Sequence, residues 1–135
     1  RSVQRQAGRV VSHEVAPAQP ETFVRALAEL LPTGTVQRED AAAWVAFGAA
    51  ASTRPWLADP YWEALQIMRT WVEGVLADAR KAGRMRADLS PAEGARLVTA
   101  LVNGLALDLL NAPPTESDEV IGQLRSGLGL ILRGL

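Results

Sequence analysis

The chain has 135 residues, 48% of them hydrophobic, with 14 basic and 15 acidic side chains and a formal charge of -1. A chain of this size buries roughly 68–70% of its unfolded surface around one core, which points to a single domain. The near-neutral charge withholds the general attraction to phosphate backbones that underlies nucleic-acid binding, and the lack of cysteine excludes disulfides and thiolate chemistry.

Along residues 1–15, Val3, Ala7, Val10, Val11 and Val15 share one helical face, while Arg1, Arg5, Arg9 and His13 repeat every four residues on another. That basic stripe reads as a solvated face, or as a connector toward an upstream segment. Pro17 and Pro20 break the helix, and Pro20 suits the first position of a second one running to about Leu31, with Phe23, Leu27, Leu30 and Leu31 inward. Pro32 and Gly34 stop it. Thr35 is placed to cap a third helix, with Glu39 and Asp40 near its positive end and Trp44, Phe47 and Ala51 on one face.

Asp59-Pro60 predicts the start of the longest helix, reaching Ala82 before Gly83 ends it, with an apolar stripe of Tyr61, Leu65, Met68, Val72, Val75 and Leu76. Ser90-Pro91-Ala92-Glu93 has the form of a capping box with proline in the first turn. The helix it opens is apolar nearly all round from Leu97 to Leu110, which requires cover on several sides. Asn111, Pro113 and Pro114 end it, and Thr115 with Asp118 resembles a second capping box opening a last helix. Gly122, Gly127, Gly129 and Gly134 weaken that helix by about 1 kcal/mol each relative to Ala, so close helix contact is expected in return. The pattern is all-α, one bundle of about six helices, with no repeat and no sheet.

Little in this pattern carries reaction chemistry. His13 is the one imidazole, so neither a multi-histidine metal site nor paired Glu-x-x-His motifs can form, and no nucleophile elbow or phosphate-binding loop is present. Neither an enzyme nor a cofactor is expected. No run of about 18 apolar residues offers a membrane span, and the first residues lack the apolar core of a signal peptide, so the expected location is cytoplasmic. A chain starting at Arg1 instead of Met is expected to be processed or part of something longer.

Six of the seven aromatic residues, Trp44, Phe47, Trp56, Tyr61, Trp62 and Trp71, fall between positions 44 and 71, among small residues. Rings are hard to pack there without gaps, which favours an apolar pocket, although the same spacing also suits plain core. Asn103, on an otherwise apolar helix, needs a hydrogen-bond partner from a ligand, from Thr99 or from a facing helix.

Ala43-Trp44-Val45-Ala46-Phe47, Asp59-Pro60 before a long helix with Trp71, the run from Ala82 to Pro91, and Leu101-Val102-Asn103-Gly104-Leu105-Ala106-Leu107 occur in an order that resembles the C-terminal domain of TetR-family regulators of the betaine-repressor type. The resemblance runs from about residue 20 to the end, and the family usually has Asp where this chain has Asn103. It implies a bacterial repressor, homodimeric through its last two helices, here residues 90–111 and 116–134, with Leu101, Leu105, Val120, Leu124, Leu128, Ile131 and Leu132 at the interface. It also implies a cavity for a hydrophobic small-molecule effector, with Phe23, Leu27, Trp44, Phe47, Met68, Trp71, Asn103 and Leu107 as candidates. Residues 1–15 become the end of a connector helix, residues 16–135 the ligand-binding and dimerisation domain, and operator DNA is contacted only through a missing N-terminal helix-turn-helix domain. The alternative is a helical dimerisation or protein-interaction module with no ligand cavity.

Overall fold

A computed structural model describes residues 2–13, 15 and 19–135. The described residues form six helices and no strand: α1 (Ser2–Ser12), α2 (Pro20–Ala28), α3 (Thr35–Ala51), α4 (Pro55–Lys81), α5 (Pro91–Asn111) and α6 (Ser117–Leu128). Arg1 and Pro17, to which the sequence assigns a place in the basic stripe and the first helix break, lie outside the described residues, as does the proposed boundary after position 15.

The punctuation of the chain explains most of these limits. Pro20 sits in the first turn of α2, where its missing N–H removes no helical bond. The capping box of α5 is complete: Ser90 Oγ accepts from the Glu93 amide at 3.1 Å, and the Ser90 amide donates to Glu93 Oε1 at 3.3 Å. At the end of α4, Gly83 takes φ +72°, and the Arg84 amide donates back to the Ala79 carbonyl while that of Gly83 donates to Arg80. Those two bonds occupy carbonyls that the helix end would otherwise leave open.

Several expected boundaries move, the second helix among them, which ends at Ala28 short of Leu31. The long helix starts at Pro55, so Pro60 lies inside it and Asp59 does not cap it. Proline there forgoes the bond its own N–H would make and its ring crowds the carbonyl one turn back, yet the residue is exposed and the helix continues through it. The third helix is preceded by Gly34, with Thr35 already helical, and the last by Glu116 with no side-chain cap, so Thr115 and Asp118 form no capping box. The last helix ends at Leu128 instead of reaching 134. The chain then folds back on the segment after α4, where the Arg86 amide donates to the Ile131 carbonyl at 3.0 Å and the Arg133 amide to that of Arg84 at 2.7 Å. That return secures Ile131, Leu132 and Met85 in the core.

α5 is central and packs against α3, α4 and α6, while α2 packs on α6 and α1 crosses α2 and α3. Between α2, α5 and α6 the interior is filled by Phe23, Val24, Leu27, Val98, Leu124 and Leu128, all at most 1% exposed. At Gly127 a Cβ would lie 2.6 Å from Leu101 Cδ2, so this glycine does allow α5 and α6 to approach closely, whereas Gly122 faces open space. Arg125 on α6 binds Glu21 on α2 through both guanidinium and carboxylate ends, closing the same seam from outside.

The first helix is held differently. Its Arg5 and Arg9 both reach the carboxylate of Asp40 on α3, which has no solvent exposure; Arg9 Nη1 stands 2.8 Å from Asp40 Oδ2. Burial pushes the Asp40 carboxyl up, but hydrogen bonds from Arg5, Arg9 and Ser2 outweigh it and hold the group below its ordinary range. Beside this clamp, His13 Nε2 lies 2.9 Å from Glu29 Oε2, and Gln37 donates to Glu29 Oε1 at 3.1 Å. Arg5 and Arg9 of the stripe are thus fastenings, although the Arg5 side chain stays half exposed. Val11, expected to point inward, is 64% exposed.

Candidate ligand-binding site

A cavity of about 210 Å³ lies between α1, α3, α4 and α5, above the side chains of Leu27 and Leu30 on α2. Helical spacing supplies its walls: Val98, Val102 and Ala106 on α5 fall on one side, as do Ala64 and Met68 on α4. Val3, Gln6 and Ala7 of α1 form the roof. Small side chains at Ala7, Ala64 and Ala106 face it, and three short residues on three helices leave a gap that their neighbours do not fill.

Trp44 is held at the edge of this space instead of collapsing into it. Its ring stacks on Tyr61 with centroids 4.7 Å apart, and Phe47 meets both rings edge-on, at 5.9 Å from Trp44 and 5.3 Å from Tyr61. Gly48 makes room for this stack, since a Cβ there would sit 3.0 Å from Tyr61 Cε1. The indole Nε1 donates to Asn103 Oδ1 across the cavity wall at 3.0 Å. Asn103 therefore bonds to a facing helix and not to Thr99, whose hydroxyl instead donates to the Ala95 carbonyl at 2.9 Å and lies 3.4 Å from Arg69 Nε.

Of the eight side chains proposed for a cavity, Leu27, Trp44, Met68 and Asn103 line this one. The other four are elsewhere. Phe23 and Trp71 pack on each other in the solid core, with centroids 5.7 Å apart. Phe47 braces Trp44 from behind, and Leu107 is 48% exposed because it follows the inward Ala106 by one helical step of 100°. The aromatic cluster divides in the same way: Trp56 is 71% exposed, and Trp62 lies on the surface with the Arg69 guanidinium 5.1 Å from its ring centroid.

Gln6 and Thr99 also line the cavity; sequence reasoning passed over Gln6 and weighed Thr99 only as a partner for Asn103. The signal for Gln6 was present: it stands three residues after Val3 and four before Val10, on the apolar stripe.

The proposed contact residues for a second copy separate likewise. Val120, Leu124, Leu128, Ile131 and Leu132 are buried in the chain's own core, because the inner face of α6 and the returning tail are already covered by α2, α5 and the segment after α4. Leu101 and Leu105 are half-buried at the edge of that core. The apolar side chains left outside on this side are Leu97 and Leu130.

The helical arrangement is that of solved transcriptional regulators. A regulator from Rhodococcus sp. Rha1 superposes with a TM-score of 0.81 at 26% identity, over 99% of this chain and 70% of that one. A protein described as a TetR-family regulator from Rhodococcus sp. gives 0.80 at 18% identity, over 96% and 71%. A regulator from Saccharomonospora viridis, solved in complex with choline, gives 0.80 at 23% identity, over 98% and 70%. No curated protein sequence matches the chain significantly. The family model for BetI-type transcriptional repressors, C-terminal, matches residues 19–133, and the chain belongs to that family. Among the described residues, no helix is long and apolar enough to cross a membrane.

Proposed function

We propose that this chain is the effector-sensing and dimerising part of a TetR-like repressor, and that the cavity beneath α1 is where the effector sits. The observation that supports this most directly is the roof. Val3, Gln6 and Ala7 belong to the helix that leads toward any upstream DNA-reading segment, so a molecule in the cavity touches the connector itself. The Arg5 and Arg9 clamp to Asp40 holds one position of α1. A ligand that fits better under a displaced α1 shifts the population toward that position, and only its difference in affinity between the two positions drives the change. The choline-bound relative supports ligand binding in this architecture.

A second copy is proposed to cover the outer side of α5 and the end of α6, where Leu97 is 52% and Leu130 72% exposed. This replaces the inner face of α6 as the contact surface. A solid interaction module without a ligand is disfavoured by the cavity.

The test is a thermal-shift and tryptophan-emission screen with small apolar compounds, since a binder at 100 times its Kd stabilises by about 2.7 kcal/mol. Binders that shift emission in the wild type and not in Trp44→Phe support the assignment. A screen in which none of the compounds moves either signal overturns it.

A further inference from the structure

We infer that the cavity selects an uncharged, mainly apolar ligand carrying a hydrogen-bond acceptor, such as a carbonyl or ether oxygen, and rejects quaternary ammonium cations. This rests on the assignment of the cavity as the effector site and adds the chemical class that the site accepts.

Three features of the walls lead there. The first is charge: among the described residues no ionisable side chain lines the cavity. Asp40, the buried carboxylate nearest in kind, is already committed to Arg5 and Arg9. The guanidinium that approaches the wall is Arg69, through Thr99 Oγ1, and it brings positive charge. An ion entering such a space loses its hydration with no opposite charge to replace it.

The second is the aromatic surface. Cages for quaternary ammonium groups surround the cation with several ring faces. Here Trp44 is the one aromatic residue lining the cavity among those described, and one face of its ring is covered by Tyr61.

The third is the polarity of the unpaired amides. An indole N–H can only donate, so the atom of Asn103 that meets Trp44 Nε1 must be the carbonyl oxygen, and the orientation of the amide is fixed. Its NH2 then has no partner among the described residues and is left as a donor at the cavity wall. Gln6, 95% buried by its 5% exposure, also lines the cavity and makes no hydrogen bond with a described residue. Neither amide is sealed from water, since the unpaired atoms of both still meet solvent; a ligand that displaces that water from Asn103 meets a donor and must offer an acceptor in return. In size, an apolar cavity of about 150 Å³ holds benzene, so about 210 Å³ admits a ring with a short substituent.

The experiment compares acetophenone, ethylbenzene and phenyltrimethylammonium by calorimetric titration of the whole chain, following Trp emission in parallel. The ketone is expected to bind about three- to tenfold more tightly than the hydrocarbon, the range of one neutral hydrogen bond, with the cation weakest. Asn103→Leu should erase the ketone's advantage and leave the hydrocarbon's affinity. Asn103→Asp, which still accepts from Trp44 and therefore keeps the fold, should reverse the order and favour the cation. Tighter binding of the cation than of the ketone by the wild type overturns the selectivity while leaving the effector cavity standing, as does an equal affinity for ketone and hydrocarbon. If none of the three probes binds, the selectivity and the site assignment fail together.

Discussion

Between α2, α5 and α6 the interior is solid, with Phe23, Leu124 and Leu128 fully enclosed and Trp71 of α4 closing over Phe23 from one side. Between α1, α3, α4 and α5 similar aliphatic and aromatic residues leave about 210 Å³ empty. What differs is the balance of fastening: α6 is drawn onto α2 by apolar contact along its length, with the Arg125–Glu21 pair outside it, whereas α1 puts one residue, Val10, into the core, is otherwise fixed at its arginines and spans the remaining gap as a roof. A polar clamp sets a distance without demanding that the space beneath be filled, and this is what lets one bundle keep a rigid half and a receptive half.

The contrast breaks most visibly in the solid half. Leu124→Ala removes a fully enclosed side chain and is expected to destabilise by about 2–5 kcal/mol, read from the urea midpoint at constant slope. The same enlargement at two positions of α5 sharpens the comparison. Ala95→Leu overfills the solid side and should lose about 1–3 kcal/mol. Ala106→Leu grows into the cavity and should gain about 0.5–2 kcal/mol while abolishing ligand binding; equal losses in both variants would show that the cavity is not available space.

The clamp predicts a local effect. Asp40→Ala leaves two guanidiniums without their buried partner, and α1 should open more readily by about 1–3 kcal/mol, seen as faster amide exchange over Ser2–Ser12 with α5 and α6 unchanged. The pH dependence has the same origin. Because the Asp40 carboxyl is held below its ordinary value of 3.8, its contribution is complete above that value and disappears as pH falls through the depressed one. Acid should therefore release α1, and the ligand with it, while neutral and mildly alkaline conditions leave this contribution untouched. The smallest effect is expected at Gly104, which is exposed in mid-helix and where an added Cβ would meet no atom within 4 Å. Gly104→Ala should stabilise by about 0.5–1 kcal/mol in the same urea assay.

Much of the fold was legible in the residues. Pro20, Gly83 and the Ser90–Glu93 box punctuate the chain locally, and their effects involve only a few neighbouring peptide units. Trp44 and Asn103 were legible as candidates because a lone amide on an apolar helix and a ring among alanines are both locally anomalous. Asp40 was misread because sequence shows only its place in an early turn of α3, while its partners are 35 and 31 residues away on α1. The assignment of the α6 leucines to an intermolecular surface failed for a similar reason: periodicity reveals an apolar face but not which body covers it.

By itself, the sequence determined that about six helices would form and roughly where, because capping, proline geometry and hydrophobic period act within a turn or two of the chain. Only the tertiary structure decided that Leu124 meets its own subunit, that Phe23 fills space while Trp44 borders it, and that Gln6 lies against the cavity. Those outcomes depend on distances between helices, which are set jointly by side chains far apart in sequence, so no single segment contains them.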